Sequence, residues 1–511
     1  MPSRSWQRLA GLAVVVVAIS ATALRLYHLT TPSLWNDEGG SLQESSAANF
    51  WAALTNLAHT LQGDHFQPLY FVLLYLWRTI AGSSVFSLRI LSVLLGLAAL
   101  AAIWAAAAYA FGRLHALVTA TLVAVSAFFV LHAQEARPYP LLMLLGALLL
   151  LLFFRVRDKR LERAYPPEAR ALWTCFGIGV FASITVAIMV AGLALGDALV
   201  DRHPRRWLRT WLPCAAAALP SIGFYFMSSA AMDPRGAETT HLLGGSLLRN
   251  AVFAIYGIVA GTTYGPPLEQ LHGPGATQLV LDYWPSLLVL AVATTTALVA
   301  VLVAMRRGDL SSDERSVSRV LVIALLTSFG LMFAFAYATR LNWQPRHSFF
   351  LALPLFLLLP LAIRGGRHGR SRLWQVLGFV ALTLIALANV YSLGHYYWDD
   401  AYARDDYRAV AHYVTANEGS NRRSVLLYGY PNLLRYYGDR ETIDGNGLRQ
   451  DQLATTVRSA TAGARQVLLI SNREWAYWRQ PEPIVTAMST EYRFEGSVKY
   501  PYFTLYEFTL R

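Results

Sequence analysis

The sequence has little charge and almost no cysteine. Charged residues make up 14% of its 511 positions and hydrophobic residues 55%, whereas soluble domains carry roughly 25% charged residues. The two cysteines, Cys175 and Cys214, both lie in apolar segments, so neither a disulfide framework nor a cysteine metal site follows from them. Long apolar runs recur along most of the chain. This composition is typical of a polytopic membrane protein.

Basic residues are also absent from one long stretch, between Tyr27 and Gln67. The net charge of +12 does not by itself indicate a nucleic-acid partner, because basic residues of membrane proteins collect in cytoplasmic loops. Basic clusters begin at Arg4, Arg155, Arg202, Arg306 and Arg364. Placing all of them in the cytoplasm puts the stretch after Tyr27 outside, behind an uncleaved first helix. The apolar runs then predict an α-helical protein with about eleven spans.

The pattern predicts two domains. Residues 1–397 form the transmembrane domain, in which residues 27–85 make a first outer loop that carries interfacial helices. Within that loop, residues 68–77 form an apolar stretch that is too short to cross a bilayer, since a spanning helix needs about 20 residues. Residues 171–200 are expected to form a kinked pair of short helices, and residues 228–280 an outer loop. Charged residues, Asn and Gly return over residues 398–511, which predicts a small extracytoplasmic α/β domain.

The unusual polar residues all fall on the predicted outer side. Ionisable residues at membrane depth are costly unless they have a partner or a cavity. Their convergence therefore predicts an outer, membrane-level site, whereas the cytoplasmic loops carry only simple basic runs. The residues are Asp37, Glu38, His65, Glu135, Arg137, Tyr139, Arg346 and His347.

Structural alternatives stand beside these functional ones. Asp37 and its neighbours are equally suited to cap a helix that starts near Ser41, because acidic residues stabilise a helix N-terminus. Neighbouring residues on a helix point about 100° apart, so only one of the two adjacent acids should face a given reacting atom. Arg25 and Arg89 lie near span ends and fit anchors that reach to the interface. Arg137 is followed by a helix-breaking proline, which favours a ligand-facing role.

Five short stretches occur in order along the N-terminal part of the chain: "LRLYHLTTPSLWNDEGGS", "HFQPLYFVLLYLW", "SLRILSVLLG", "FGRLHAL" and "AQEARPYPLL". Together they resemble the N-terminal module of bacterial GT-C glycosyltransferases of the protein O-mannosyltransferase-like group. That group includes the lipid A aminoarabinose transferases and the rhizobial lipopolysaccharide core transferases. The resemblance covers residues 15–230, is looser over residues 320–365 and says little about residues 400–511.

The resemblance implies a GT-C fold and an inverting transfer of a sugar from a polyprenyl-phosphate carrier. The acceptor is a lipid, a glycan or a protein on the outer side of the cytoplasmic (inner) membrane. Asp37 matches the position of the family's general base, with Glu38 as its catalytic neighbour. Arg137 matches the family's donor-phosphate arginine. We expect Tyr139, Arg346 and His347 to join it, and His65, Glu135 and Arg89 to bind substrate, although "HFQP" departs from the His-Pro-Pro-like element of many relatives.

No nucleotide-binding signature and no nucleic-acid partner follow from the sequence. No cofactor is predicted, a divalent metal is left open, and no metal ligands are assigned. A membrane transporter or lipid flippase with the same polar residues along its path is the alternative function. The substrate sites of transporters usually lie at the bilayer midplane between internal repeats. The sequence has no internal repeat, which disfavours this alternative. A binding or scaffold protein that uses its C-terminal domain is a third hypothesis.

Overall fold

The computed structural model describes residues 4–54, 67–158, 166–230, 247–271, 275–306, 310–339, 341–364, 370–417, 421–439, 441–445, 457–472, 485–486 and 488–511. The chain divides into two compact units. The membrane unit comprises Met1–Tyr27, Glu44–Gly265 and Tyr283–Gly394. The sheet unit comprises His28–Gln43, Pro266–Asp282 and His395–Arg511. Two internal segments thus join the C-terminal residues in the sheet unit, a division that sequence composition does not indicate.

Long apolar helices make this a multi-pass membrane protein. Six helices of the described residues are long and apolar enough to cross a bilayer: Leu9–Leu26, Val85–Phe111, Tyr139–Asp158, Trp284–Arg306, Ser312–Thr339 and Arg372–Trp398. A seventh span is formed if the helices Arg113–Val125 and Ala127–Ala133, which meet at 60°, are counted as one. The prediction of about eleven spans is higher because it also counts shorter or less apolar segments, and the exact number stays a prediction.

Several shorter helices complete the membrane unit. Pro68–Ala81 has 14 residues, and Pro167–Ala182 and Thr185–Asp201 form the predicted pair of short helices. The remaining helices described outside the sheet and its connections are Pro204–Ala230, Leu247–Ala260 and Phe349–Leu358. The predicted outer loop over residues 228–280 contains a helix that the sequence did not indicate, Leu247–Ala260. Its apolar run is shorter than a span, which is why the sequence alone favoured a loop.

Small residues let two helices of the membrane unit approach closely. Gly192 and Gly196 face the backbone of Ser312–Thr339. A Cβ atom on Gly192 would lie 2.7 Å from the carbonyl oxygen of Ala324, and one on Gly196 would lie 2.8 Å from that of Val320. Small residues four apart are a common means of close helix packing where lipid provides no hydrophobic driving force.

The bend at Ser126 is held by polar side chains from two other helices. The N–H of Ala127 donates to Oδ1 of Asn389 (2.8 Å), whose Nδ2 donates to the Val259 carbonyl (2.7 Å). On the other side of the bend, the Arg25 guanidinium donates to the Ala124 carbonyl at 3.3 Å. Arg25 is only 1% exposed. The prediction that Arg25 reaches to the interface is therefore wrong, because its charge satisfies carbonyls that the broken helix leaves without N–H partners.

The sheet unit contains a five-stranded mixed sheet, which confirms the small C-terminal α/β domain. Its strands are β1 (Arg422–Tyr428), β2 (Ile443–Asp444), β3 (Gln466–Asn472), β4 (Tyr492–Tyr500) and β5 (Phe503–Leu510). Their order is β2-β1-β3-β5-β4. β1 is parallel to β2 and β3, whereas β5 is antiparallel to β3 and β4.

Helices cover this sheet and connect its strands. Tyr407–Ala416 precedes β1, and Pro431–Tyr436 follows it. Two further short helices, Leu268–Leu271 and Ala276–Asp282, belong to the internal segment of the unit. Alternate residues of β1 and β3, among them Val425, Leu427, Val467 and Leu469, form a buried apolar cluster with Phe508 of β5. This alternation is the period-two pattern that predicted strands.

Candidate active site

The acidic motif lies in the sheet unit, at the start of the helix Asn36–Glu44. Its two carboxylates have different surroundings. Glu38 is 1% exposed, and its Oε2 accepts a hydrogen bond from the N–H of Trp35 at 3.4 Å. This is the reciprocal half of a capping box, in which the third helical residue reaches back to the cap. Asp37 is half-buried. The helix starts at Asn36 and not near Ser41, so Asn36 and Asp37 lie in its first turn, and Glu38 is the residue that reaches back to the N–H of Trp35. Asp37 keeps partial access to solvent.

A buried polar network supports the first residue of this helix. The N–H of Asn36 donates to Oδ2 of Asp405 (3.3 Å), and Nδ2 of Asn472 donates to Oδ1 of the same carboxylate (3.0 Å). The Tyr407 hydroxyl donates to Oδ1 of Asn36 and accepts from the N–H of Tyr430 at 2.9 Å. All the side chains in this network except Tyr430 are buried. Residues far apart in sequence therefore fix the backbone directly before Asp37.

The flanks of the acidic motif are held by the same unit. The N–H of Leu34 donates to the Tyr437 hydroxyl at 2.8 Å, and Nδ2 of Asn432 donates to the Gly39 carbonyl at 3.0 Å. A Cβ atom on Gly39 would lie 2.8 Å from Cδ1 of Leu433. The first glycine of "NDEGG" thus packs closely against its support, and a larger residue there would require the Leu433 side chain to shift.

The network contains a further carboxylate, that of Asp405, whose pKa is affected by the charge of Asp37. Burial raises the pKa of Asp405 to about 6, helped by the negative charge of Asp37. The hydrogen bonds from Asn472 and Asn36 and the charge of Arg404 act in the opposite direction. The Arg404 guanidinium carbon lies 4.5 Å from the centroid of the Trp35 ring. The two carboxylates of the acidic motif therefore have a third one, that of Asp405, and the Arg404 cation in the same unit, and the pKa of Asp405 lies near 6.

A second cluster of predicted residues lies in the membrane unit, in the turn between Ala127–Ala133 and Tyr139–Asp158. Glu135, Arg137 and Tyr139 are all buried. The Arg137 guanidinium carbon lies 5.7 Å from the centroid of the Tyr139 ring, and Oε2 of Glu135 lies 3.3 Å from Nδ1 of His132. The His132 and Tyr139 rings are 4.9 Å apart. Glu135, Arg137 and Tyr139 thus lie in one turn, together with His132, which precedes Glu135 by three residues.

Neighbouring helices fix the position of this turn. The Ser92 hydroxyl donates to the Arg137 carbonyl at 3.4 Å and lies 2.8 Å from the Tyr70 hydroxyl. Arg89 precedes Ser92 by three residues on the same helix face and is 4% exposed. The prediction that Arg89 anchors at the interface is therefore wrong, because the side chain is inside the unit. The side-chain amide of Gln134 donates to the main-chain carbonyls of Leu24, Arg25 and Tyr27.

The other predicted residues are placed as follows. Arg346 and His347 are half-buried in the 3-10 turn Pro345–His347. Nδ1 of His347 accepts from the N–H of Gln344 at 3.2 Å, so this ring caps the turn. His65 lies outside the described residues. Within the described ranges, no three His, Cys, Asp or Glu side chains are grouped closely enough to hold a metal ion.

Comparisons with known proteins find one family model over part of the chain and similar folds over nearly all of it. Residues 64–227 match the model of the dolichyl-phosphate-mannose-protein mannosyltransferase family. The fold is similar to that of the archaeal oligosaccharyltransferase AglB from Archaeoglobus fulgidus, with a TM-score of 0.53, 12% identity, and coverage of 96% of this chain and 73% of AglB. It is also similar to ArnT from Cupriavidus metallidurans, with a TM-score of 0.52, 13% identity, and coverage of 99% and 98%. No curated protein sequence matches the chain significantly.

The family match covers the part of the chain that holds the Arg137 turn, and the fold similarity extends over nearly the whole chain. At 12–13% identity the structural likeness bears on the fold, so the activity class rests on the family match and the motifs. A multi-pass helical unit followed by a small sheet is the architecture that the ordered N-terminal motifs imply. The chain therefore has a GT-C fold over nearly its whole length, and residues 64–227 match a family of membrane mannosyltransferases.

Proposed function

We propose that this enzyme moves a sugar from a polyprenyl-phosphate carrier to an acceptor on the outer side of the cytoplasmic membrane, with inversion at the anomeric carbon. The names of its relatives support this donor class: the matched family is named for dolichyl-phosphate-mannose, and the similar structures hold a dolichol-phosphate (AglB) and undecaprenyl phosphate (ArnT). AglB also holds an inhibitory peptide. For this chain the acceptor is a lipid, a glycan or a protein.

The unequal environments of Asp37 and Glu38 carry the assignment of the base. Glu38 is buried and caps its helix, so Asp37 is the acid that faces the acceptor. As the acceptor oxygen attacks the anomeric carbon, its proton passes to the Asp37 carboxylate. The bond from that carbon to the phosphate oxygen breaks, and its electron pair stays on the phosphate. General base catalysis of this kind contributes about 10²–10⁴-fold to a rate. Glu38 holds the helix start in place.

Arg137 is proposed to bind the donor phosphate. The phosphate gains negative charge as the sugar leaves, and a fixed guanidinium stabilises such charge strongly in a site shielded from water. The Tyr139 ring packs beside this guanidinium and limits its orientation. Arg346 and His347 are proposed to add to phosphate binding. Three further residues remain proposals for substrate binding: Arg89, Glu135 and His65.

The first test compares the wild-type enzyme with Asp37→Asn and with Glu38→Gln as a matched control. Each purified protein is incubated with polyprenyl-phosphate sugars and candidate acceptors, and the release of polyprenyl phosphate is measured. We expect Asp37→Asn to lose about 10²–10⁴-fold in kcat while remaining folded. Glu38→Gln keeps an oxygen that accepts from Trp35 and should retain most activity. Equal activity of Asp37→Asn and wild type would remove Asp37 from the chemistry.

A further inference from the structure

The sheet unit contains the acidic motif itself, although most of that unit comes from the end of the chain. The hydrogen bond from Asn36 to Asp405 joins residues 369 positions apart. The Leu34–Tyr437 and Gly39–Asn432 bonds span similar separations. Contacts with residues from 405 to 472 therefore fix the conformation of the motif. These residues support the proposed base although they lie far from it in sequence.

Asp405 is the central residue of these contacts. It lies just before the helix Tyr407–Ala416, and both of its carboxylate oxygens accept hydrogen bonds. One bond comes from the first residue of the acidic helix and the other from Asn472, the last residue of β3. A buried carboxylate that accepts from a backbone N–H and a side-chain amide fixes both donors, since leaving either one without a partner costs stability.

We infer that Asp405 is a positioning residue for sugar transfer: its carboxylate holds the backbone of Asn36, and so directs the neighbouring Asp37 toward the acceptor hydroxyl. This inference rests on the proposed role of Asp37 as base. A base must lie within hydrogen-bond reach of the proton that it accepts. A displacement of about 1 Å costs up to about 10²-fold in rate, so the support of Asn36 bears directly on kcat.

Asp405 also interacts with the acidic motif through its charge. The negative charges of Asp405 and Asp37 repel each other, which raises the pKa of Asp405. Arg404 opposes this effect. The titratable or polar groups around Asp405 also include Tyr407, Asn472 and Asn36. Because burial raises the pKa of Asp405 to about 6, lowering the pH through that value removes both the charge and one hydrogen-bond acceptor.

The chain provides a matched control for this residue. Asp439 is also a buried aspartate of the sheet unit. Its Oδ1 accepts from the N–H groups of Glu441 and Thr442, both at 3.1 Å. These partners form a local turn and do not include the acidic motif. A general loss of stability should therefore affect Asp405→Asn and Asp439→Asn alike, whereas a loss of positioning should affect only the first.

The experiment measures steady-state transfer and hydrogen exchange on the full-length purified protein. We expect Asp405→Asn to lower kcat about 10- to 100-fold with KM changed less than about threefold, and to lose the activity limb near pH 6. Exchange of amides in residues 28–43 should become about tenfold faster. Asp439→Asn should keep the wild-type kcat and the wild-type pH profile. Asn472→Ala, which removes the second donor to Asp405 and the Asn472 hydrogen bond to Tyr407 but keeps the Asp405 carboxylate, should have an intermediate effect.

Three outcomes would overturn the inference. The first is a wild-type kcat and pH profile in Asp405→Asn, the second is an equal loss in Asp439→Asn, and the third is unchanged exchange over residues 28–43. If Asp405→Asn does not fold, the same criteria apply to Asn472→Ala. If wild-type protein transfers no sugar from any donor, the proposed function fails, but the exchange measurement still decides whether Asp405 holds the acidic motif.

Discussion

Replacing Tyr407 by phenylalanine removes one oxygen from the centre of the sheet unit. This hydroxyl donates to Oδ1 of Asn36 and accepts from the N–H of Tyr430, and the Tyr407 side chain is fully buried. The phenylalanine ring fills nearly the same volume, so the change leaves two polar groups without a partner. Each such buried group costs about 1–3 kcal/mol. We therefore expect the free energy of unfolding of the sheet unit to fall by about 2–6 kcal/mol.

The matched control is Tyr492→Phe. The Tyr492 hydroxyl is also buried and donates to the Thr461 carbonyl at 2.9 Å, within the sheet. Its loss removes one hydrogen bond, but the Thr461 carbonyl still accepts from the N–H of Ala464 at 3.0 Å, so the cost should be only about 0.5–1.5 kcal/mol. A loss of 2 kcal/mol should lower the midpoint of thermal unfolding by about 4–8 °C for a unit of this size.

Transfer activity separates the two variants. Tyr407→Phe should lower kcat at a temperature where the protein is still folded, because Asn36 and hence Asp37 lose support. Tyr492→Phe should lower stability and leave kcat unchanged. The reasoning fails if Tyr407→Phe has wild-type kcat, or if both variants lose activity in proportion to their loss of stability.

Two further predictions concern the bend of the membrane unit and the effect of pH. Asn389→Leu should leave the N–H of Ala127 and the Val259 carbonyl without these partners, which should lower the free energy of unfolding by about 2–6 kcal/mol. The measurement is the unfolding midpoint in detergent. The control, Thr383→Leu on the exposed face of the same helix, should change this midpoint little. Because the pKa of Asp405 in the folded protein is raised above its usual value, its favourable contribution to stability is present at low pH and is lost as the pH rises through about 6. Stability of the sheet unit should therefore fall between about pH 4, the ordinary pKa of an aspartate, and about pH 6, while transfer activity rises, and Asp405→Asn should show neither change. A wild-type stability that rises over this range would contradict the assigned pKa direction.

Local sequence patterns predicted most of the fold. The long apolar runs correspond to helices of the membrane unit, and the alternating pattern of "YFTLYEFTL" lies in β5. Such patterns succeed because burial on one face repeats with the period of the element itself. Leu247–Ala260 was missed because its apolar run is too short to indicate a span, and because its packing depends on other helices.

The candidate site was predicted only in part. Asp37, Glu135, Arg137 and Tyr139 stood out because charged or polar residues at the ends of apolar runs are rare. Asp405 and Asn472 did not, because both lie in a polar segment where such residues need no special explanation. Their importance comes from contacts across hundreds of residues. The prediction for Arg25 was wrong for a related reason. The sequence does not reveal that the helix over residues 113–133 breaks and leaves carbonyls to which Arg25 donates hydrogen bonds.

The long separation between Asn36 and Asp405 also has a consequence for biosynthesis. The segment 28–43 leaves the ribosome early, but its hydrogen-bond partners are made 369 residues later. At about 5–20 residues per second, this interval lasts on the order of 20–70 s. Throughout that time the membrane helices can insert and pack, while the acidic motif waits for its partners. The acidic motif therefore cannot complete its hydrogen-bond network until Asp405 and Asn472 have been made, long after the segment 28–43 itself.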